Sequence, residues 1–521
     1  MIKCIIAFSI LLSCLSHCDA QTLPAGRQAK NAKVSDVPVI IIMADQLRYD
    51  AIGKYTPHIN ELMKDGVSFN RTYTASPLCV PSRAAFFTGR YPNTTGSLIN
   101  GWTDADAHYA KVRSGTPNLY HTMSKNWETW QIGKQHFFSE DKIDEDPAIK
   151  VNWITQKSYN EWMKKQGIRK PGGRWFTDFS PELVSGKYTH VKRYTVPKFK
   201  VYEEGLQYFH DDYFSKRSVE AITNHKSNKP LLLITTFLSP HPPYDIPEPY
   251  FSKIKNGDLK IPANVGQWYK DQSPLQLYAL PGFIGSRYSR DEWTKIWPKY
   301  FGLVSLLDDE TGKILDALKR KGIYERALII FTADHGEMLG SHSLWMKNCM
   351  YEESARVPLI IKFPDSFHTD VKLINQQVSL VDVWPTLMDY LKIKDQDKTD
   401  GTSLMPLLNG KESKPNTVFI QYDGNAAYGS NQRCIVDGNY KLIIDTFKDE
   451  IYLELYDVVN DSEETTNLAM DPKHEMLTRK LITKIREHML NTNDLLHFPK
   501  DVYKNFITHY PKLDKKPDAD E

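Results

Sequence analysis

The chain has 521 residues, 41% of them hydrophobic and 25% charged. That composition fits a globular protein with a large core and excludes a disordered, collagen-like or multispanning membrane chain. With 66 Lys and Arg against 64 Asp and Glu, the net charge is +2, so no global field draws the chain to nucleic acid or anionic lipid and any anionic ligand must be captured locally.

Residues 1–20 read as a signal peptide. Lys3 precedes an apolar run at 5–12, and small and polar residues lead to Cys18-Asp19-Ala20-Gln21, with cleavage expected near Ala20. The run is shorter than the roughly 18–20 residues that cross a bilayer, so no transmembrane segment is expected. The protein is read as exported, periplasmic or secreted, and lipid anchoring through Cys14 or Cys18 stays open. Of the six cysteines, Cys4, Cys14 and Cys18 fall in the leader, leaving Cys79, Cys349 and Cys434. Three is an odd number for an oxidising compartment: one has another task, and the other two pair or stay buried.

Residues 21–36 are a polar tether with Pro24 and Gly26, and 37–43 form a continuous run rich in β-branched residues. Such a run predicts a strand buried on both faces. Similar strands are predicted at 231–237, 327–332 and 358–363, with a helix at 300–321 among the segments between them. Strands alternating with helices imply an α/β fold, a large and mostly parallel sheet flanked by helices, over residues 37–408. From Asn409 the pattern changes to short strands at 418–422, 440–444 and 453–456, then an amphipathic helix at 473–490. This predicts a smaller C-terminal α+β subdomain at 409–511, and 512–521 form a charged tail.

In such sheets ligands gather at the carboxyl ends of the strands. Here those ends carry Asp45-Gln46, Pro240-His241 and Asp334-His335-Gly336. Asp45 and Asp334 would bring two carboxylates together, an arrangement that demands a cation. Oxygen ligands suit a hard divalent ion, Ca²⁺ or Mg²⁺.

The segment Ser76-Pro77-Leu78-Cys79-Val80-Pro81-Ser82-Arg83 runs on to Thr88-Gly89-Arg90. It reads as a turn with a cysteine at its apex and a helix opening near Ser82, whose free amides favour an anion. An anion site beside a cation site points to a phosphate or sulfate ester.

This segment resembles the signature of the type I sulfatases, Cys-x-Pro-Ser-Arg followed by Thr-Gly-Arg. The resemblance implies an alkaline-phosphatase-like fold and conversion of Cys79 to formylglycine by a formylglycine-generating maturation enzyme. It also covers Asp45-Gln46, Gly133-Lys134-Gln135-His136, His241, Asp334-His335-Gly336 and Lys347, and in the C-terminal part Tyr440-Lys441-Leu442, Leu455-Tyr456-Asp457 and residues 464–468. By resemblance Asp45, Gln46, Asp334 and His335 surround the metal with residue 79. Arg83 supports the formylglycine, Lys134 and Lys347 hold sulfate oxygens, His136 is the base, and His241 is the acid on the leaving alcohol.

Gln46 departs from the Asp-Asp of many sulfatases and is similar to the related phosphonate monoester and phosphodiester hydrolases. His335 is an unusual ligand for Ca²⁺ and admits Mn²⁺. Three functions follow: a sulfatase acting on sulfated carbohydrate, a formylglycine-dependent phosphodiesterase or phosphonate hydrolase, and a non-catalytic binder of sulfated glycans. The intact set of Cys79, Arg83, Lys134, His136, His241 and Lys347 argues against the third. Residues 102–117 and 153–202, including Trp153 and Trp175, are expected to wall the substrate pocket. Asn70, Asn93 and Asn460 open N-glycosylation triplets, meaningful only in a eukaryotic secretory pathway.

Overall fold

The run after Pro38 forms the strand Val39–Asp45, buried at all seven positions. It lies inside an eight-stranded sheet whose spatial order is Leu373–Ser379, Val67–Tyr73, Arg356–Lys362, Leu328–Ala333, Val39–Asp45, Leu231–Pro240, Glu128–Gly133 and Val151–Thr155. The structure, a computed structural model, describes residues 36–184, 188–394, 399–411 and 417–510. The expected leader, nearly all of the tether and the charged tail lie outside them.

The fold is α/β, as expected. Every strand of the large sheet is parallel to its neighbours except Arg356–Lys362, which pairs antiparallel with both. This strand was expected at 358–363 and spans Arg356–Lys362. The strands Val67–Tyr73, Glu128–Gly133, Val151–Thr155 and Leu373–Ser379 were not foreseen, because polar residues interrupt their apolar pattern. One of them, Gln131, is fully buried and satisfied by the Tyr120 hydroxyl at 2.7 Å and the Thr236 hydroxyl at 3.0 Å.

The helix expected at 300–321 spans Arg290–Lys321. A capping box between Ser289 and Glu292 starts it, Pro298 sits inside its early turns, and Gly322 at φ 69° ends it. Its side chains pack against the helices Pro57–Asp65 and His210–Asn224 and the strand Leu231–Pro240. The Tyr300 hydroxyl donates to the Gln46 carbonyl and accepts from the Arg48 amide, both at 2.9 Å. The helix thus pins the chain where Gln46 turns at φ 67° beyond the first strand.

The C-terminal strands Thr417–Tyr422, Asn431–Asp437, Tyr440–Phe447 and Glu450–Asp457 form an antiparallel meander. Its two faces follow the period of two. Cys434, Val436 and Ile443 pack with Tyr73, Leu78, Met350 and Tyr351 of the large domain. Ile435, Leu442 and Ile444 pack under Leu481 and Ile485 of the helix Glu475–Asn491 and Phe506 of Val502–His509. The strand Asn431–Asp437 was not expected; its Arg433 is buried between Asp423 and Asp494 at 2.7 and 2.6 Å. Cys79, Cys349 and Cys434 are all free and buried. Among the described residues no helix is long and apolar enough to cross a membrane. Asn93 is buried against Thr492 and cannot accept a glycan in the folded chain.

Candidate active site

The helix that carries the cysteine opens at Cys79 and not near Ser82. It spans Cys79–Thr88, with every residue buried. Pro81 is tolerated because its missing N–H lies in the first turn, where no intrahelical acceptor exists. The Val80 amide donates to Asn100 Oδ1 at 3.1 Å. Ser82 donates to the Asp334 carbonyl at 2.5 Å, tying the helix to the end of the strand Leu328–Ala333.

Residues from four strand ends converge on Cys79 and form one connected network. The Cys79 sulfur lies 3.1 Å from His335 Nε2 and 3.5 Å from Lys134 Nζ. Arg83 Nε donates to Asp334 Oδ2 at 2.9 Å, Nη2 to Asp45 Oδ2 at 3.0 Å, and Nη1 to the Lys134 carbonyl at 2.9 Å. Lys134 Nζ also contacts Asp45 Oδ2. Lys347 Nζ donates to Gln46 Oε1 at 2.6 Å and lies 3.0 Å from His241 Nε2. His136 faces the Cys79 sulfur. The chain reaches Lys134 through Gly133 at φ 105°, where a Cβ would stand 1.9 Å from the Thr236 carbonyl oxygen, so only glycine fits.

The electrostatics follow from burying opposite charges together. Burial would raise the Asp45 carboxyl, but Lys134, His241, Arg83 and His335 hold it well below the usual carboxylate range. Burial and the Asp45 charge push Asp334 upward despite His335 and Arg83. Burial and Asp45 would raise the Cys79 thiol, yet Lys134, Lys347 and His335 keep it well below the usual thiol range. Burial and Lys134 lower His136 to about 4, and burial and Lys347 lower His241. Against burial, Asp334 and Cys79 raise His335.

Ligand atoms of Asp45, Cys79, Asp334 and His335 all lie within 4.8 Å of one another. His335 Nδ1 is 3.0 Å from the Gly336 carbonyl, which fixes the tautomer and turns Nε2 toward the cluster. Two buried carboxylates and an imidazole nitrogen this close together fit a divalent cation.

The sequence reading missed Glu337. It is fully buried, accepts the Leu339 and Met346 amides at 2.8 and 2.7 Å, and receives Gln46 Nε2. It therefore turns Gln46 Oε1 toward Lys347. Its place three residues after Asp334 was the available signal. The motifs around Lys441 and Glu464 also gain a role. Lys441 Nζ pairs with Glu352 at 2.7 Å and Glu464 at 2.9 Å and donates to the Met350 carbonyl at 2.9 Å, bracing the turn that follows Lys347.

The profile of the Sulfatase family matches residues 38–393. The chain belongs to the sulfatase family. A second profile, the C-terminal part of N-sulphoglucosamine sulphohydrolase, matches residues 340–491 of this sulfatase. The choline-sulfatase of Rhizobium meliloti (strain 1021) is 27% identical over 450 residues, 84% of this chain and 83% of that protein. The phosphonate monoester hydrolase of Agrobacterium radiobacter superposes with a TM-score of 0.69 at 22% identity, covering 88% of this chain and 96% of that one. A 2-O GAG sulfatase superposes with a TM-score of 0.66 at 20% identity, covering 89% and 95%. The two superpositions show the shared fold.

Of the expected pocket wall in this sulfatase, Trp153 is half-buried on the edge strand Val151–Thr155, with its ring 5.2 Å from that of core Tyr120. Trp175 is 52% exposed, with Lys198 over its ring at 5.5 Å.

Proposed function

We propose that the chain hydrolyses sulfate esters on a sulfated polysaccharide or its oligosaccharides, using a formylglycine made from Cys79. The observation that carries this reading is Cys79 at the first position of a buried helix, with His335 and Lys134 at its sulfur and Arg83 bridging Asp45 and Asp334. Once converted, residue 79 supplies a geminal diol as the nucleophile. Asp45, Gln46, Asp334 and His335 would hold the cation, Ca²⁺ with Mn²⁺ or Mg²⁺ as alternatives. The cation supplies Lewis-acid polarisation and lowers the pKa of the attacking hydroxyl.

The chain's own groups do the rest. Lys134 and Lys347 present ammonium groups to the sulfate oxygens, where charge develops. Arg83, fixed by both carboxylates, keeps the helix start positively charged. His136, beside residue 79, takes a proton from it. His241 passes the proton it shares with Lys347 to the leaving alcohol. The leader read in the sequence supports activity outside the cytoplasm, periplasmic or secreted, with or without a lipid anchor, and a formylglycine-generating enzyme is the proposed maturation partner. The sulphoglucosamine-type C-terminal match supports a sugar substrate.

A second reading, hydrolysis of phosphonate monoesters or phosphodiesters, is favoured by Gln46, whose amide leaves the cation one negative charge short of an Asp-Asp pair. The test is free sulfate released from a panel of sulfated polysaccharides by enzyme co-produced with the maturation enzyme. A phosphodiester substrate and the Cys79→Ala variant run in parallel. Sulfate release that the variant lacks supports the first reading; turnover of the phosphodiester alone moves the assignment to the second.

A further inference from the structure

Beside the site lies a cavity of about 370 Å³, with Asn100, Trp102, Lys111, Gln135, Phe138 and Lys142 in its lining. Its lining adjoins the reacting groups. Asn100 holds the amide of Val80, next to Cys79. Gln135 stands between Lys134 and His136 in the chain, and the Phe138 ring centroid is 5.8 Å from that of His136.

Two large aromatic side chains are left open here, Trp102 at 51% and Phe138 at 38% exposure. Single exposed aromatics need no explanation, but two in the lining of one concave space with amides and ammonium groups resemble a ligand platform. The Trp102 segment is held in advance. Lys192 Nζ donates to the Trp102 carbonyl at 2.9 Å, Thr103 donates to the Ala426 carbonyl at 3.2 Å, and the Trp102 ring lies 6.4 Å from Tyr194. Preorganisation of this kind lowers the ordering cost of binding. Among the described residues Lys111 has no carboxylate at ion-pair distance, so its ammonium is free for a ligand.

Resting on the sulfatase reading above, we propose that this cavity is a subsite for the sugar ring next to the sulfated one. The apolar face of that ring stacks on Trp102 or Phe138, and its hydroxyl or acidic groups meet Lys111, while Lys142 is paired with Glu145 at 3.1 Å. A flat protein partner does not fit a concave space of this size beside the reaction centre. A second ring of the substrate does. The enzyme is therefore built for oligosaccharides in preference to monosaccharides and small aryl sulfates.

The test compares 4-nitrophenyl sulfate with the mono-, di- and tetrasaccharides of the polysaccharide that releases sulfate. In the wild type, kcat/KM should rise about tenfold or more from mono- to disaccharide, a size expected of one aromatic stacking contact with its polar neighbours. Trp102→Ala and Phe138→Ala should each remove most of that gain, chiefly through KM, and Trp102→Phe should restore it. Lys111→Ala, at an exposed position, keeps the test open if an aromatic variant fails to fold. No gain from mono- to disaccharide in the wild type, or equal proportional losses on the aryl sulfate and the disaccharide, overturns the subsite. Failure of the underlying reading looks different: no sulfate is released from any substrate while a phosphodiester turns over.

Discussion

Replacing Lys441 by Met tests how the C-terminal sheet braces the active site. Lys441, Glu352 and Glu464 are all buried, with Lys441 Nζ at 2.7 and 2.9 Å from the two carboxyls. Breaking a buried ion pair by removing one partner costs about 3–5 kcal/mol. Burial and the charge of Glu352 push Glu464 up to about 8 even beside Lys441, so near neutral pH only Glu352 loses its counter-charge. Arg356, 3.3 Å from Glu352, remains as a weaker partner. The lower end, about 3 kcal/mol, is therefore expected.

The pH dependence has a definite sign. Burial opposes ionisation of Glu352, but Lys441 and Arg356 hold it below the usual range. The stabilisation from the pair is thus present above the pKa of an unfolded Glu and lost as pH falls through the folded value. The deficit of Lys441→Met, measured by urea unfolding followed by tryptophan fluorescence, should be largest near neutral pH and shrink in acid. Sulfate release should fall as well, because Lys441 also holds the Met350 carbonyl in the turn after Lys347. A loss under about 1 kcal/mol at neutral pH, or one independent of pH, would refute the reasoning.

Glu337→Gln puts an amide where Gln46 Nε2 needs an acceptor. Divalent-cation affinity, titrated calorimetrically into chelator-stripped enzyme, should drop about 10–100-fold, and unchanged affinity would show that Glu337 does not orient Gln46. Burial raises Asp445 and Glu454 to about 7 each. Such acids favour the fold below their unfolded pKa, and that contribution is lost as pH rises through about 7. Asp445→Asn should therefore flatten the fall in stability between about pH 5 and 7 by about 1.4 kcal/mol per pH unit, and an unaltered slope counts against it. Burial pushes the Cys349 and Cys434 thiols well above the usual range. Both should resist a thiol reagent in the folded enzyme and react once it is unfolded in urea, so rapid labelling of the native protein would contradict their placement.

The sequence made Asp45, His241 and Asp334 legible because each follows a mostly apolar, strand-forming run, and a residue ending a buried strand must lie at one rim of the sheet. Cys79, Arg83 and the two lysines were legible through the motif they share with sulfatases. Glu337 was not, because its role depends on Gln46, 291 residues away in the chain. The strand Asn431–Asp437 was hidden by Arg433, whose burial makes sense only once Asp423 and Asp494 stand beside it. The early turns of the helix Arg290–Lys321 were hidden by Pro298. Trp153 and Trp175 looked alike in sequence, and only packing separates the one on Tyr120 from the one in solvent.

The central claim is that residue 79 reacts as formylglycine and not as cysteine. Preparations made with graded amounts of the maturation enzyme can be analysed by peptide mass spectrometry for the fraction converted at position 79, alongside their rate of sulfate release from the preferred glycan. The account predicts a rate proportional to the converted fraction that extrapolates to zero for the unconverted enzyme. A rate independent of conversion, with Cys79 intact, would contradict it.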